Sequence, residues 1–168
     1  MIYDVNVINL NKFTDSRGSL YKSYTKTLFD NLSFSVEESW FTISSKNTIR
    51  GMHMQTGKFP SRKIVTIIKG SIVDVLLDCR TYSKTYGKFM VIDMNSSEDS
   101  HIMLDIPVGV AHGYKVLEDN SFVQYFANEI HHAKSDVGFY YNSFGYDWNL
   151  DNPILSDRDM KLPYFNSK

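Results

Sequence analysis

The sequence predicts an all-β domain, either a sandwich or a barrel. Short runs rich in Val, Ile, Phe and Tyr recur along the chain, separated by Gly, Asn, Asp and Ser. Only two brief stretches have a helical character, so the crossover helices of a parallel sheet are not predicted. The 168 residues, 42% of them hydrophobic, are enough for one compact core, and we expect a single domain over residues 1–168.

Ten strands are expected in chain order. They cover residues 5–10, 19–24, 36–44, 48–54, 62–69, 71–77, 88–93, 101–106, 110–116 and 121–127. The runs IVTII and IVDVLL flank Lys69-Gly70-Ser71, which predicts a tight hairpin of two buried strands at the centre of the core. Helical character at 27–31 and beyond Ser156 predicts a short helix and a short irregular or helical C-terminal tail.

Charge and cysteine content narrow the function classes. The 18 basic and 19 acidic residues nearly cancel, so neither nucleic acid nor a membrane is an expected partner. Cys79 is the only cysteine, which excludes an intramolecular disulfide and suits a reducing compartment. The N-terminus lacks the pattern of a signal peptide and no apolar run is long enough to span a bilayer, so we expect a cytoplasmic protein.

RGMHMQ, at residues 50–55, is the first candidate for chemistry. In a regular strand, alternation puts His53 and Gln55 on one face and Arg50 on the other. A lone strand histidine is more often a hydrogen-bonded structural residue than a catalyst. Spacing alone therefore leaves both roles open for His53.

Charged residues accompany the two apolar strands that follow. Lys63, if it points inward, would hold an ammonium in a low-dielectric interior and would need an anionic ligand or a carboxylate. The alternative is a position at the solvated end of the strand. Asp74, Asp78 and Arg80 share one strand face at even separations, and mutual salt bridging is the preferred explanation.

Histidine spacing argues against a metal. His112 lies in IPVGVAHGY beside Gly113, where a ligand or another strand can approach closely. Catalytic metals usually need three protein ligands, and the sequence contains no His-x-His pair. The adjacent His131 and His132 point to opposite faces if the backbone is extended, so they do not both enter one site. We therefore expect no metal.

Seven collinear segments resemble the dTDP-4-dehydrorhamnose 3,5-epimerase family. They are DSRG (15–18), RGMHMQ (50–55), KIV (63–65), GSIVDVLLDCR (70–80), TYGK (85–88), IPVGVAHGY (106–114) and WNLDNPILSDRD (148–159). Each is weak alone, but together they span nearly the whole chain. The resemblance implies a cupin-type double-stranded β-helix, or jelly roll, that works as a homodimer without a cofactor. It also implies a substrate, a nucleotide-linked 4-keto-6-deoxyhexose or 4-keto-heptose, inverted at C3, C5 or both through an enolate, in surface polysaccharide or deoxysugar biosynthesis.

The resemblance also implies residue roles. By position, His53 matches the general base, Asp159 the carboxylate that orients it, and Lys63 the cation that stabilises the enolate oxygen. The remaining matched positions predict substrate contacts: Arg17 and Arg50 at the pyrophosphate, Tyr125 and His112 in the sugar site, with Gln55 and Lys22 completing the set.

Three departures from the family pattern bear on specificity. His131 stands where the family has its general-acid tyrosine, so the acid is His131 itself, another tyrosine or water, and an epimerase of a single carbon is an alternative. Lys22 replaces an acidic residue that contacts thymine, and the segment from Glu38 to Trp40 replaces Q-x-N. Exchanging an acceptor for a donor reverses the hydrogen-bond pattern offered to a base, so GDP and CDP are candidates beside dTDP.

Two further functions stay open at this stage. A 3,4-ketoisomerase would use the same enolate to move the carbonyl, although such enzymes usually have a second histidine soon after the first. A non-catalytic sugar-nucleotide-binding cupin would need no base, enolate clamp and orienting carboxylate together, whereas His53, Lys63 and Asp159 are all present.

Overall fold

The computed structural model describes residues 1–97 and 101–166. Within these residues the first six strands are β1 Asn6–Asn9, β2 Lys12–Asp15, β3 Gly18–Tyr21, β4 Glu38–Ser44, β5 Ile49–Gln55 and β6 Lys63–Lys69. The next six are β7 Ser71–Asp78, β8 Phe89–Asn95, β9 Ile102–Ile106, β10 Val110–Val116, β11 Ser121–Ala127 and β12 Asp136–Gly138. One helix, α1, covers Lys26–Asn31, and a single 3₁₀ turn covers Asp159–Lys161.

Two five-stranded antiparallel sheets form the cupin-type jelly roll that was predicted. The first sheet has the order β1-β9-β6-β11-β4 and the second β12-β5-β10-β7-β8. Strands β2 and β3 pair with each other in a separate two-stranded hairpin. No helix in the described part of the chain is long and apolar enough to cross a membrane.

Three apolar clusters hold the layers together. The central one lies between the two sheets and combines Val65 and Leu104 of the first with Ile72 and Leu76 of the second. Helix α1 begins at Thr25, whose side chain accepts a hydrogen bond from the Leu28 amide, and covers the outer face of the first sheet. The C-terminal segment covers the outer face of the second sheet. Each sheet therefore buries apolar side chains on both faces.

All ten predicted strands are present, with ends shifted by a few residues. The helix and the short C-terminal turn are also where the sequence predicts them. Strands β2 and β12 were not predicted. Every residue of β2 is exposed, and β12 has only three residues ending in Gly138, so neither carries the apolar alternation that reveals a strand.

The predicted hairpin between residues 62–69 and 71–77 is wrong. Strand β6 pairs with β9 and β11, whereas β7 pairs with β8 and β10 in the other sheet. The turn at Gly70 carries the chain from one sheet to the other, and its φ of +88° favours glycine. Both strands do lie at the centre of the core, as expected, because their apolar side chains face each other across the sandwich.

Candidate active site

Two adjoining cavities open between the sheets, with volumes of about 350 Å³ and about 290 Å³. Trp40, His53 and Lys63 line both of them. The first is completed by Glu38, Gln55, Ser61, Ala127, Glu129, His131 and Asp136. The second is completed by Thr42, Arg50, His112, Tyr114, Tyr125, Ser156, Arg158 and Asp159. Apart from Arg17 and Lys22, every predicted site residue therefore faces this combined space.

A bulge in β5 aims two of these side chains. His53 pairs with His112 and Arg50 with Tyr114, so two residues of β5 oppose Gly113 alone. The extra residue changes the alternation, and Arg50 and His53 line the same cavity while Met52 packs in the cluster on the other side of the sheet. The predicted opposite faces for Arg50 and His53 are thus wrong, although His53 and Gln55 do share a face.

Glycine is required at the bulge. A Cβ atom on Gly51 would lie 2.6 Å from the backbone of both His112 and Gly113, and the Gly51 φ is +115°. The glycine thus permits the close approach of β5 and β10 on which the bulge depends. The neighbouring Arg50 side chain is held separately, because its Nε donates a 2.9 Å hydrogen bond to Ser44 Oγ.

His53 is bonded to Asp159, as predicted. Its Nε2 lies 2.7 Å from Asp159 Oδ1, which leaves Nδ1 free to exchange a proton. The Gly51 amide donates to the other carboxylate oxygen, and the Asp159 amide donates to Ser156 Oγ. Burial is the largest single influence and would raise the pKa of Asp159, but the hydrogen bond and charge of His53, together with hydrogen bonds to Gly51 and Ser156, hold the pKa below its ordinary value.

The C-terminal segment carries Asp159 to this position. Tyr141, Trp148 and Phe165 pack on the outer face of the second sheet in one cluster with Val75 and Leu77. Trp148 Nε1 donates a 2.9 Å hydrogen bond to the Tyr141 carbonyl, which satisfies the buried indole. The distance between His53 and Asp159 therefore depends on how the tail packs, not on the strand alone.

Lys63 faces the cavity and not the solvated end of its strand. Its Nζ lies 5.9 Å from the ring centroid of Trp40, which stacks on Tyr125 at 4.9 Å with an interplanar angle of 6°. Burial lowers the pKa of Lys63 from its ordinary value. No carboxylate in the described part of the chain forms an ion pair with this ammonium, so an anionic or enolic oxygen would supply the missing partner.

His112 lies deeper, where it pairs with Asp74. Its Nε2 is 2.8 Å from Asp74 Oδ2, and both side chains are buried. The predicted salt bridging along β7 is therefore correct for Asp78 and Arg80, which are joined at 2.9 Å, but wrong for Asp74. Asp74 turns to His112 because β10 lies beside β7 with Tyr114 opposite Asp74 and His112 two residues away.

A third histidine–carboxylate pair, between His131 and Asp136, was also not predicted. His131 Nε2 lies 3.1 Å from Asp136 Oδ2, and Arg158 donates to the same oxygen at 2.6 Å. Burial alone would raise the pKa of Asp136, but the hydrogen bonds from Arg158 and His131 keep it below its ordinary value. The contact joins a loop to the C-terminal tail, and no local sequence pattern reveals it.

The backbone around His131 is fixed by two side chains. Gln55 Nε2 donates to the Ile130 carbonyl at 3.0 Å, and Gln55 Oε1 accepts from the His132 amide at 2.8 Å. Glu38 Oε2 accepts from the His131 amide at 2.7 Å. The Gln55 amide thus fixes the backbone around His131, and its predicted role as a substrate contact stays a prediction.

The neighbouring ring of His132 points elsewhere. It stacks on Phe59 with centroids 3.6 Å apart, outside the residues that line the cavity. This agrees with the expectation that the two adjacent histidines do not enter one site. In the described residues, no group of three or more His, Cys, Asp or Glu side chains is arranged to hold a metal ion.

Arg17 and Lys22 do not reach the cavity within a single chain. Both line a separate surface depression on the β2–β3 hairpin, together with Phe13 and Leu20. Arg17 is bonded to Asp15 of the same hairpin. Their predicted contacts with pyrophosphate and base therefore stay predictions.

Comparison with known proteins agrees with this geometry. The model of the dTDP-4-dehydrorhamnose 3,5-epimerase family matches residues 1–167. The enzyme of that name from Escherichia coli K12 is 34% identical over 167 residues, which covers 96% of this chain and 89% of the relative. The one from Methanothermobacter thermautotrophicus is 31% identical and covers 91% of this chain and 85% of the relative.

Solved structures extend the agreement to three dimensions. The crystal structure of dTDP-4-dehydrorhamnose 3,5-epimerase from Bacillus anthracis, with TDP and PPi bound, has a TM-score of 0.90 at 30% identity and covers 96% of this chain and 94% of that one. The enzyme of the same name from Sulfolobus tokodaii gives 0.87 at 31% identity, over 95% and 89% of the two chains. The chain therefore belongs to the dTDP-4-dehydrorhamnose 3,5-epimerase family, a family of isomerases.

Proposed function

We propose that this protein is a sugar-nucleotide epimerase that inverts C3, C5 or both in a nucleotide-linked 4-keto-6-deoxyhexose or 4-keto-heptose. The observation that carries the proposal is one cavity lined by a carboxylate-bonded histidine, His53, and by the ammonium of Lys63. Removal of a proton beside a ketone places negative charge on the carbonyl oxygen. A base that takes the proton and a cation that stabilises the negative oxygen are the two groups this step needs, and both line one cavity.

His53 is proposed as the base. Asp159 accepts the Nε2 proton and so favours the tautomer whose Nδ1 is unprotonated. After Nδ1 takes the proton from carbon, the carboxylate stabilises the resulting imidazolium. Lys63 lies beside Trp40 in the cavity wall and forms no ion pair with a carboxylate of residues 1–97 or 101–166, so the enolate oxygen would be its partner.

His131 is proposed as the acid that completes inversion. Inversion requires a proton to return to the carbon on the face opposite its departure, so a second group besides His53 is needed. His131 lines the same cavity from the loop that joins β11 of the first sheet to β12 of the second, whereas His53 lies on strand β5. His131 therefore gives the cavity a proton donor other than His53.

The nucleotide and the assembly complete the proposal. A dTDP sugar is the first candidate, supported by the TDP-containing relative from Bacillus anthracis, and GDP and CDP sugars are the alternatives suggested by Lys22. A homodimer is supported by exposed apolar side chains on the first sheet, with Phe41 and Ile43 each 57% exposed on the edge strand β4. A second copy would also explain how Arg17 could reach a pyrophosphate. Surface polysaccharide or deoxysugar synthesis in the cytoplasm is the proposed setting.

The test is incubation with dTDP-, GDP- and CDP-linked 4-keto sugars in deuterated water, followed by NMR. Deuterium with inversion at C3, at C5 or at both would assign the reaction. A displaced carbonyl would indicate a ketoisomerase, and binding without exchange would indicate a non-catalytic cupin; either result would overturn the proposal. Parallel reactions with EDTA are expected to run at the same rate, since no metal takes part in the proposed steps.

A further inference from the structure

Four hydrogen bonds hold the ring of His131 and the peptide groups around it, which is unusual for an exposed residue in a loop. Its ring nitrogen is bonded to Asp136 and its backbone amide to Glu38. The peptide groups on either side are bonded to Gln55, which is buried. Fixing a ring that is 58% exposed costs conformational entropy, so these contacts point to a requirement for one orientation.

Asp136 occupies the central place in this arrangement. It is the first residue of β12, where it pairs with Gln55 of β5, so its backbone is anchored in the second sheet. Arg158 donates to its carboxylate oxygen at 2.6 Å and also to its carbonyl at 3.3 Å. Its side chain is only 12% exposed. The carboxylate therefore has one preferred position, and the oxygen that accepts from Arg158 is the one that meets His131.

We propose that Asp136, fixed by Arg158, is a positioning residue that holds His131 with Nε2 bonded to the carboxylate and Nδ1 directed to donate a proton. In the step it supports, the Nδ1–H bond of the imidazolium breaks and a C–H bond forms at the enolate carbon. The electron pair of the enolate forms that bond and the ketone is restored. Loss of this proton leaves His131 as a neutral imidazole, with its remaining proton on Nε2 shared with Asp136.

This inference rests on the proposed epimerase function and goes further by naming what makes a histidine serve at the acid position. The charged groups around Asp136 are Arg158, His131, His53 and Lys63, and each is linked to it by a contact or by a Coulombic effect. Three carboxylates line the first cavity beside His131 in the described part of the chain, Glu38, Glu129 and Asp136, and of these only Asp136 ion-pairs with a histidine ring.

The decisive experiment is a double-mutant cycle with the inverted product as readout. Asp136→Asn is made in the natural chain and in the His131→Ala chain, and single-turnover inversion of a dTDP-4-keto sugar is measured in all four proteins. With His131 present, Asp136→Asn should slow inversion on the order of 10- to 100-fold, the cost of a misplaced catalytic group. Without His131, the same change should alter the rate by less than about twofold, since additive effects are expected only of independent residues.

Two further measurements separate positioning from general structural damage. Deuterium exchange into unconverted substrate, which depends on His53, should stay within about threefold of the natural rate in Asp136→Asn. Asp136→Glu keeps the charge and should recover at least part of the inversion rate. The matched control is Asp151→Asn, an exposed carboxylate in the tail, which should change neither rate.

Equal losses from Asp136→Asn in the two chains would overturn the inference, because the carboxylate would then act independently of His131. Parallel loss of exchange and inversion would do the same. If Asp136→Asn does not fold, the Asp136→Glu protein decides: inversion that falls no more than exchange contradicts the positioning role. Failure of the natural protein to invert any tested sugar would remove the proposed function itself, which is a distinguishable result.

Discussion

Two of the histidine–carboxylate pairs at the cavity, His53–Asp159 and His131–Asp136, are built differently. His53 and Asp159 are 106 residues apart, and their side chains are 26% and 5% exposed. His131 and Asp136 are five residues apart, and theirs are 58% and 12% exposed. The first pair depends on the whole fold, because the tail must cross the second sheet to deliver its carboxylate. The second pair is close in sequence, although Asp136 is also held by the pairing of β12 with β5 and by Arg158 from the same tail.

This difference suggests a division of labour. A buried pair with fixed geometry suits the removal of a weakly acidic carbon-bound proton, which needs exact alignment with the substrate. A more exposed pair suits an acid that must be reprotonated by solvent after each turnover. Substitutions in the two pairs should therefore have separable effects on proton removal and on inversion.

The largest effect is expected for His53→Asn. Removal of the base should lower deuterium exchange and inversion together, by about 10²- to 10⁴-fold, the usual contribution of a general base. Binding of dTDP should survive, because no nucleotide contact is removed. NMR-detected exchange and calorimetric titration of dTDP provide the two measurements, and His132→Asn, which changes a ring outside the cavity, is the matched control.

The second-largest effect is expected for Lys63→Met, which should lower kcat by about 10²- to 10³-fold and change KM much less. The reason is that the ammonium meets full negative charge only in the enolate-like transition state. Methionine keeps most of the stem that packs beside Trp40. Steady-state kinetics would contradict this role if KM rose and kcat were unchanged.

Asp159→Asn should lower the rates of deuterium exchange and of inversion by about 10²-fold. This is the low end of the range expected for loss of a general base, because Asp159 orients the base and is not the base itself.

The same carboxylate should make stability depend on pH. The pKa of Asp159 is depressed below its ordinary value of 3.8, so the carboxylate stabilises the fold above that pH, and this contribution is lost as the pH falls through the lower pKa of the folded state. The stability difference between natural protein and variant should therefore shrink between about pH 5 and pH 2. A difference that grows with acidity in chemical denaturation would exclude this linkage.

The smallest effect on activity is expected from a buried ion pair outside the cavity. Asp78 is fully buried and accepts hydrogen bonds from Arg80, Ser83 and Thr85. Asp78→Asn should leave the buried Arg80 guanidinium with only the exposed carboxylate of Asp4, 3.7 Å away, and lower the free energy of unfolding by about 3 kcal/mol. The kcat per folded molecule should stay unchanged. Denaturant unfolding measures the free energy of unfolding, and kinetics normalised to the concentration of active sites measure kcat.

Ten of the twelve strands in the described part of the chain were predictable because each of those ten carries its own signal. Alternating apolar residues bounded by Gly, Asn and Asp locate a strand without any knowledge of its neighbours. Pairing is different: Lys69-Gly70-Ser71 has the composition of a hairpin turn, yet the flanking strands join different sheets. Whether such a turn forms a hairpin or carries the chain to the other sheet depends on which strands pair with the two flanking strands. That information is spread over the whole chain.

The site was predictable where a segment resembles the family and not where contacts depend on three-dimensional packing. His53, Lys63 and Asp159 lie in recognisable segments, and the structure brings them together. The pairing of His131 with Asp136 and Arg158 escaped notice, because it joins a loop, a three-residue strand and the tail. The bulge at Gly51 likewise reversed the expected face of Arg50 by adding one residue to the alternation.

The most direct test of the account is a comparison of His53→Asn with His131→Ala in deuterated water, with exchange into recovered substrate and inversion followed in the same sample. The account predicts that His53→Asn loses both, whereas His131→Ala still exchanges the proton but returns it with retention, so that inverted product falls at least about tenfold relative to exchange. Equal loss of exchange and inversion in the two variants, or undiminished inversion in His131→Ala, would contradict it.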